Sequence, residues 1–156
     1  MKIKKAVIEQ ADIIGQVHSE AWKQAYVGVF SESFLKEDTA EKRKQEFLES
    51  FGSKDTFYYV IYEDITPIGI IKVIEELDAY EIASFYILEK YRNKGYGKQA
   101  VLYLKKELNK KIRLWVLELN KNAIRFYENN CFEFLGNIRV INRGQSYIQL
   151  QYEFLQ

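Results

Sequence analysis

The densest group of chemically useful residues lies between positions 85 and 98, where an apolar run passes into a basic turn with two glycines. A helix that begins after such a turn presents free backbone N–H groups and the positive end of its dipole. Gly95 and Gly97 would let the backbone approach a ligand without a Cβ in the way. Arg92, Lys94 and Lys98 add cationic donors suited to phosphate oxygens. The segment therefore predicts a site for a phosphate-bearing ligand.

This loop differs from two common phosphate-binding motifs. The G-x-x-x-x-G-K-[ST] spacing of a P-loop is absent, and the third glycine of the dinucleotide-binding fingerprint is missing. A tight strand-to-helix turn with solvated lysines would use the same residues. The loop alone leaves both interpretations open.

A second segment, after the loop, makes the pattern more specific. It reads Leu114-Trp115-Val116-Leu117-Glu118-Leu119-Asn120-Lys121-Asn122-Ala123-Ile124-Arg125-Phe126-Tyr127-Glu128-Asn129-Asn130-Cys131-Phe132. It is similar to the block L-W-V-x-x-x-N-x-x-A-x-x-F-Y-E-x-x-G-F of the GNAT superfamily, the acetyl-CoA-dependent N-acetyltransferases. The loop Arg92-x-x-Gly95-x-Gly97 likewise resembles that family's R/Q-x-x-G-x-G/A pyrophosphate loop. The likeness covers nearly the whole chain.

The resemblance implies a role for each part of the two segments. The backbones of Phe85, Tyr86 and Ile87 would pair with the pantetheine arm of acetyl-CoA, as an added strand does. Asn120 would contact the same arm or cap the following helix, and Tyr127 would donate a proton or a hydrogen bond to the departing CoA thiolate. The pyrophosphate would lie beside Arg92 on the loop amides, which belong to Asn93, Lys94, Gly95, Tyr96, Gly97 and Lys98.

The acceptor amine must lose a proton before it attacks the thioester. An aliphatic amine with a pKa near 10.4 is neutral in about one molecule in a few thousand at pH 7, so a base or a depressed pKa must help. Glu81 is the candidate base, acting directly or through water, and Glu118 is the second choice. The acidic run 75–81 could instead be solvated or attract a cationic substrate. His18 is expected to be a packed or pocket residue, and the acceptor could be a small molecule or a peptide.

The periodicity of the apolar residues predicts the element order βααβββαβαββ. It indicates one α/β domain over residues 1–156, with a mixed, mostly antiparallel sheet of about seven strands flanked by four helices, as in the GNAT fold. The predicted strands cover residues 3–8, 57–62, 68–74, 79–88, 112–119, 132–142 and 145–154, and the predicted helices cover 12–25, 40–51, 97–110 and 122–129.

The composition excludes several classes of protein. With 23 Lys and Arg against 22 Asp and Glu, the net charge of +1 supplies no general field for nucleic acid. One cysteine and one histidine exclude an intrachain disulfide and leave too few soft ligands for zinc. No apolar run approaches the roughly 20 residues of a membrane span. A cytoplasmic protein without a metal, membrane or nucleic-acid partner is therefore expected.

Two alternatives to an enzyme stay open. A non-catalytic acyl-CoA-binding or sensing protein would keep the loop without turnover. A partner-binding module would expose Tyr26, Phe30 and Phe34. Because dimers are common in the family, the resemblance also allows a homodimer.

One residue departs from the family pattern, because Cys131 stands where the family has glycine. A glycine after a helix usually adopts the left-handed conformation, which costs other residues roughly 1 kcal/mol. Asparagine tolerates that conformation best, so Asn130 is expected to adopt it instead.

Overall fold

The core of the fold is a seven-stranded sheet, seen in a computed structural model that describes residues 1–155. The strands are β1 (Lys2–Lys5), β2 (Thr56–Glu63), β3 (Thr66–Glu75), β4 (Ala79–Ile87), β5 (Lys111–Leu117), β6 (Phe132–Asn142) and β7 (Ser146–Phe154). They lie in the order β1-β2-β3-β4-β5-β7-β6. Only β4 and β5 run parallel, and the other neighbours are antiparallel.

Helices cover both faces of this sheet. They are α1 (Ala11–Tyr26), α2 (Glu32–Glu37), α3 (Ala40–Ser50), α4 (Tyr96–Glu107) and α5 (Lys121–Asn129). Successive residues of β2 point to opposite faces, as the pleat requires. Tyr58 and Val60 pack with α1 and α3, whereas Tyr59 and Ile61 join the larger core that includes α4. The predicted mixed α/β fold is confirmed.

The residues described contain five helices rather than the four predicted from the sequence. The additional helix, α2, has six residues, which is too short to give a clear periodic signal. Ser31 caps it by accepting a hydrogen bond from the N–H of Phe34 at 3.2 Å. The first strand also ends before residue 8, because Ile8–Gln10 forms a 3₁₀ turn.

The turn after α5 also differs from the prediction. Cys131 itself adopts the left-handed conformation, with φ of 66°. The φ of Asn130 is −113°, and its side chain instead donates to the carbonyl of Phe126 at 2.7 Å. The expectation for Asn130 was therefore wrong, because Cys131 takes the left-handed conformation while the Asn130 side chain satisfies a carbonyl at the end of the helix.

The parallel pair β4 and β5 separates along its length. Their pairing extends from Ala79 and Lys111 to Ile82 and Leu114 and then ends. Beyond that point β4 continues to Ile87 against β3 alone, and β5 continues against β7 alone. A bulge at residue 83 interrupts the pairing of β4 with β3 at the same level. The two strands therefore open into a gap in the middle of the sheet.

Candidate active site in the gap between β4 and β5

A cavity of about 720 Å³ lies on the side of the gap that carries α4 and α5. We call it the cofactor-side cavity. Most of the residues predicted to bind the cofactor line it. They are Phe85, Tyr86, Ile87, Arg92, Asn93, Gly95, Gly97, Lys98 and Asn120, and Tyr127 joins them. Lys94 and Tyr96 do not line it.

The loop before α4 presents a row of backbone donors. Gly95 is the N-cap of α4 with φ of 83°, a left-handed conformation that favours glycine. The first hydrogen bond of the helix runs from the N–H of Gln99 to the carbonyl of Gly95 at 3.1 Å. Within residues 1–155, the amides of 93–98 donate to no protein group. Consecutive free amides at a helix start suit the pyrophosphate of CoA.

Two side chains of this loop form hydrogen bonds to other parts of the protein. Arg92 donates from Nε to the carbonyl of Ile87 at 2.8 Å and from Nη2 to the carbonyl of Ala21 at 3.3 Å. Two of its nitrogens thus tie the loop to β4 and α1, whereas the sequence suggested a phosphate donor. The hydroxyl of Tyr96 donates to the carboxylate of Glu63.

Gly97 has a structural role that the sequence did not reveal. A Cβ at this position would lie 2.8 Å from the ring of Phe126. Such a distance is too short for carbon atoms in contact. Gly97 therefore allows α4 and α5 to pack closely, and this contact holds the loop beside α5.

The open half of β4 suits an extended ligand arm. Residues 84–87 pair with β3 on one side, and no strand of the described residues covers their other side. An extended chain with amide groups can hydrogen-bond to such an exposed strand edge. The predicted contact between pantetheine and the backbones of Phe85, Tyr86 and Ile87 therefore fits the geometry.

Asn120 stands at the start of α5 on the wall of the cofactor-side cavity. Its Oδ1 atom accepts a hydrogen bond from the N–H of Ala123 at 3.1 Å, which makes it the helix cap. In the described part of the chain, its Nδ2 atom has no hydrogen-bond partner. The capping interaction thus fixes the side chain and leaves a donor for a ligand.

Tyr127 lies on the same helix, with its ring between Phe126 and Phe132 at 5.3 Å from each ring centre. Burial raises the pKa of its phenol above the ordinary value of 10.0, and the neighbouring Tyr26 adds to this effect. The hydroxyl is therefore protonated at neutral pH and can donate. No group in residues 1–155 forms a hydrogen bond with it.

A second cavity, of about 590 Å³, lies on the opposite side of the gap beneath α1, α2 and α3. We call it the acceptor-side cavity. Aromatic residues form much of its wall, and Arg139 and Arg143 line it from β6 and the turn that follows. The two cavities share the residues at the gap, which are Tyr26, Ile82, Ala83, Ser84, Tyr86 and Trp115. Ligands in the two cavities can therefore meet in the middle of the sheet.

The aromatic residues of α1 and of the segment that follows it pack against one another. Phe30 is 6% exposed and packs against Trp22 and Tyr147. The hydroxyls of Tyr26 and Tyr86 share a hydrogen bond of 3.1 Å at the junction of the cavities. The exposed aromatic surface on which the partner-binding alternative depends is thus not formed by these residues.

Glu81 lines the acceptor-side cavity, whereas Glu118 lines neither cavity. Burial raises the pKa of the Glu81 carboxyl, and nearby Glu76 raises it further, while Arg139 and Lys72 lower it. A raised pKa makes a carboxylate a better proton acceptor. The geometry places Glu81 on the acceptor side and Tyr127 on the cofactor side.

Two other carboxylates of the acidic run 75–81 are neutralised by ion pairs. Glu75 forms an ion pair with Lys110 at 2.5 Å, and Asp78 forms one with Arg113 at 3.2 Å. Neither carboxylate lines a cavity. These pairs argue against an acidic patch that attracts substrate.

The splayed sheet and the free loop amides are the arrangement expected of an acetyl-CoA-dependent acetyltransferase. The sequence profile of the Acetyltransferase (GNAT) family matches residues 17–131, and the chain belongs to this family. A curated relative is spermidine N(1)-acetyltransferase of Thermoplasma acidophilum, which is 28% identical over 142 residues, or 85% of this chain and 88% of the relative.

Solved structures agree with this assignment. PaiA N-acetyltransferase from Thermoplasma acidophilum, in complex with coenzyme A, has a TM-score of 0.75 and 26% identity. The match covers 99% of this chain and 98% of that one. Spermidine N-acetyltransferase from Vibrio cholerae, in complex with CoA and spermine, has a TM-score of 0.74 at 18% identity and covers 99% and 95% of the two chains. At 18% identity, the similarity to the Vibrio cholerae structure supports the fold alone.

The family uses acetyl-CoA as the acetyl donor, and the cofactor-side cavity fits it through its free amides and open strand edge. In residues 1–155 no group of three or more His, Cys, Asp or Glu is placed to hold a metal ion. None of the helices there combines the length and apolar character needed to cross a membrane.

Proposed function

We propose that this chain transfers the acetyl group of acetyl-CoA directly to the primary amine of a small molecule or peptide. The observation that carries this proposal is the junction of the two cavities at Ala83, Ser84 and Trp115. A thioester held from one side and an amine held from the other can react there without a covalent enzyme intermediate. The curated relative supports aliphatic polyamines as the first acceptors to test.

Glu81 is the proposed base for the amine. The ammonium gives a proton to this carboxylate, directly or through one water, and the neutral nitrogen then attacks the carbonyl carbon. The new N–C bond forms as the C–S bond breaks, and the nitrogen then loses its second proton to solvent to give the neutral amide. The proton on Glu81 also passes to solvent. The raised pKa of Glu81 supports this role, because it brings the carboxyl closer to the pKa of the amine.

Tyr127 is the proposed hydrogen-bond donor to the leaving sulfur. Full proton transfer from a phenol of pKa 10 to a thiolate whose acid has a pKa near 8.5 is unfavourable by roughly 2 kcal/mol. Burial raises the pKa of Tyr127, which increases this cost. Hydrogen bonding to the developing thiolate is therefore favoured over full transfer, and the thiolate takes its proton from solvent.

Thiol release with acetyl-CoA tests the proposal. The assay should use a panel of polyamines, amino acids, aminoglycoside antibiotics and peptides with a free N-terminus, with the amine-free rate as background. We expect amine-dependent thiol release, with one acetylated amine per thiol by mass spectrometry. Acetyl-CoA binding without increased thiol release for any of the four classes would instead support the non-catalytic alternative.

A further inference from the structure

Asp38 is a carboxylate in the wall of the acceptor-side cavity that is only half satisfied. It lies between α2 and α3, and its side chain is 9% exposed. Arg43 donates from Nε at 2.8 Å and from Nη2 at 2.7 Å, but both bonds go to the same oxygen, Oδ2. The other oxygen, Oδ1, is buried, and no donor in residues 1–155 reaches it.

A buried carboxylate oxygen without a donor is unfavourable, so it strongly favours a ligand that brings one. The donors nearby are already engaged. Arg43 also binds Glu46 at 3.0 Å, and Lys72 binds the same carboxylate at 2.9 Å. Lys42 donates to the backbone carbonyl of Glu37 at 2.8 Å. None of these donors reaches Oδ1, and since Asp38 lines the cavity, a ligand or a water there would supply the missing donor.

The chemistry of the site favours an ammonium group as that donor. A charged N–H forms a stronger hydrogen bond with a carboxylate than a neutral one does. The carboxylate of Glu37, the preceding residue, lines the same cavity and has no ion-pair partner in the described part of the chain. Trp22 and Phe34 form apolar walls of the cavity that suit a methylene chain.

The opposite wall of the cavity carries two arginines, which would favour an acceptor with a negative charge. Arg139 and Arg143 could bind a carboxylate on an amino acid. The guanidinium of Arg139, however, lies 4.3 Å from the ring centre of Trp115 and donates from Nε to Gln149 at 2.7 Å. Arg143 is exposed and donates to the carbonyl of Asn142 at 2.8 Å. Among the residues that line this cavity, Asp38 thus has the one buried side-chain oxygen or nitrogen, Oδ1, that lacks a partner in residues 1–155.

We propose that Asp38 binds a second ammonium group of the acceptor, so that the acceptor is an aliphatic diamine or polyamine. This inference rests on the proposed function, because it assumes that the reacting amine occupies the acceptor-side cavity. The reacting nitrogen then lies near Glu81 and the gap, the methylene chain follows the aromatic wall, and the distal ammonium donates to Oδ1 of Asp38.

Calorimetric titration of amines into the protein saturated with CoA tests this site without turnover. The probes are diaminoalkanes of four, six and eight carbons, with the monoamine and the ω-amino acid of each length. We expect the best diamine to bind about 10- to 100-fold more tightly than its monoamine, as a hydrogen bond to a charged group does. Asp38→Asn should reduce that preference to less than about threefold.

The variant Glu41→Gln is the matched control, since it removes one negative charge from the exposed start of α3 outside both cavities. It should keep the diamine preference. The Asp38→Asn variant should bind CoA and the monoamine as tightly as wild type does. This result would show that the variant is folded. Equal diamine affinity in wild type and Asp38→Asn would overturn the inference. So would wild-type protein that binds the ω-amino acid as tightly as the diamine, whatever the variant does.

The two proposals fail in different ways. A diamine preference lost in Asp38→Asn, without thiol release for any amine, would support the site at Asp38 and contradict the transfer reaction. Thiol release with equal kcat/KM for diamines and monoamines would support the reaction and contradict the site.

Discussion

The buried imidazole of His18 gives the protein a pH-dependent stability that can be calculated. His18 is 0% exposed, lies on α1, and stacks on Tyr86 with 5.7 Å between ring centres. Neither ring nitrogen has a hydrogen-bond partner in residues 1–155. Burial, with a smaller contribution from the charge of Arg43, lowers the pKa of the imidazole from 6.5 to about 3, although Glu46 acts in the opposite direction.

The sign of the effect follows from proton binding in the two states. Below pH 6.5 the unfolded chain takes up a proton on His18, whereas the folded protein does so only near pH 3. The stabilisation that comes from keeping His18 neutral is therefore fully present above pH 6.5 and is lost as the pH falls. Since one pKa unit corresponds to 1.36 kcal/mol, the free energy of unfolding should fall by about 2 kcal/mol between pH 7.5 and pH 5.

Urea unfolding at pH 7.5 and pH 5, followed by the fluorescence of Trp22 and Trp115, measures this loss. The comparison is His18→Gln, which is neutral at both pH values. The contribution of Glu46, whose pKa is lowered from 4.5 to about 2, is lost only below pH 4.5 and is common to both proteins. The fall in stability should be about 2 kcal/mol smaller in the variant. Equal falls in the two proteins would refute a neutral, buried His18.

Three further substitutions test separate parts of the structure. Tyr127→Phe should lower kcat by about 10- to 100-fold with little change in the KM for acetyl-CoA, as expected for a lost hydrogen bond to developing charge. The control Tyr103→Phe, outside both cavities, should retain kcat, and an unchanged kcat for Tyr127→Phe would remove this hydroxyl from the mechanism. Gly97→Ala should lower the free energy of unfolding by about 1–3 kcal/mol, because its Cβ would press on Phe126; an unchanged Tm would contradict this. Cys131→Gly should raise stability by up to about 1 kcal/mol in urea unfolding by relieving the left-handed φ, and a similar gain in Cys131→Ala would refute that cause.

The local parts of the candidate site could be predicted from the sequence because neighbouring residues define them. The loop before α4 and the cap at Asn120 depend on short segments with known helix-end chemistry. The strands were likewise predicted from alternating apolar residues, with ends within a few positions of those observed for β2 and β6.

The remaining features depend on contacts between distant segments. The sequence predicts Arg92 as a phosphate donor, but it does not reveal the two hydrogen bonds of Arg92 to backbone carbonyls of β4 and α1. The role of Gly97 depends on where Phe126 of another helix lies. Nothing in the sequence around Asp38 signals a buried carboxylate, because its burial and its partner arise from the way α3 packs over the acceptor side. Tertiary packing decides such features, and local sequence patterns do not reveal which distant segments will meet.

Initial-velocity kinetics test most directly whether the acetyl group passes straight from one cavity to the other. Rates are measured while acetyl-CoA and the best amine of the panel are both varied. Direct transfer at the gap requires both ligands together, so double-reciprocal plots should intersect, and the protein incubated with acetyl-CoA alone should stay unacetylated by mass spectrometry. Parallel lines, together with an acetylated protein that passes its acetyl group to the amine, would contradict the account.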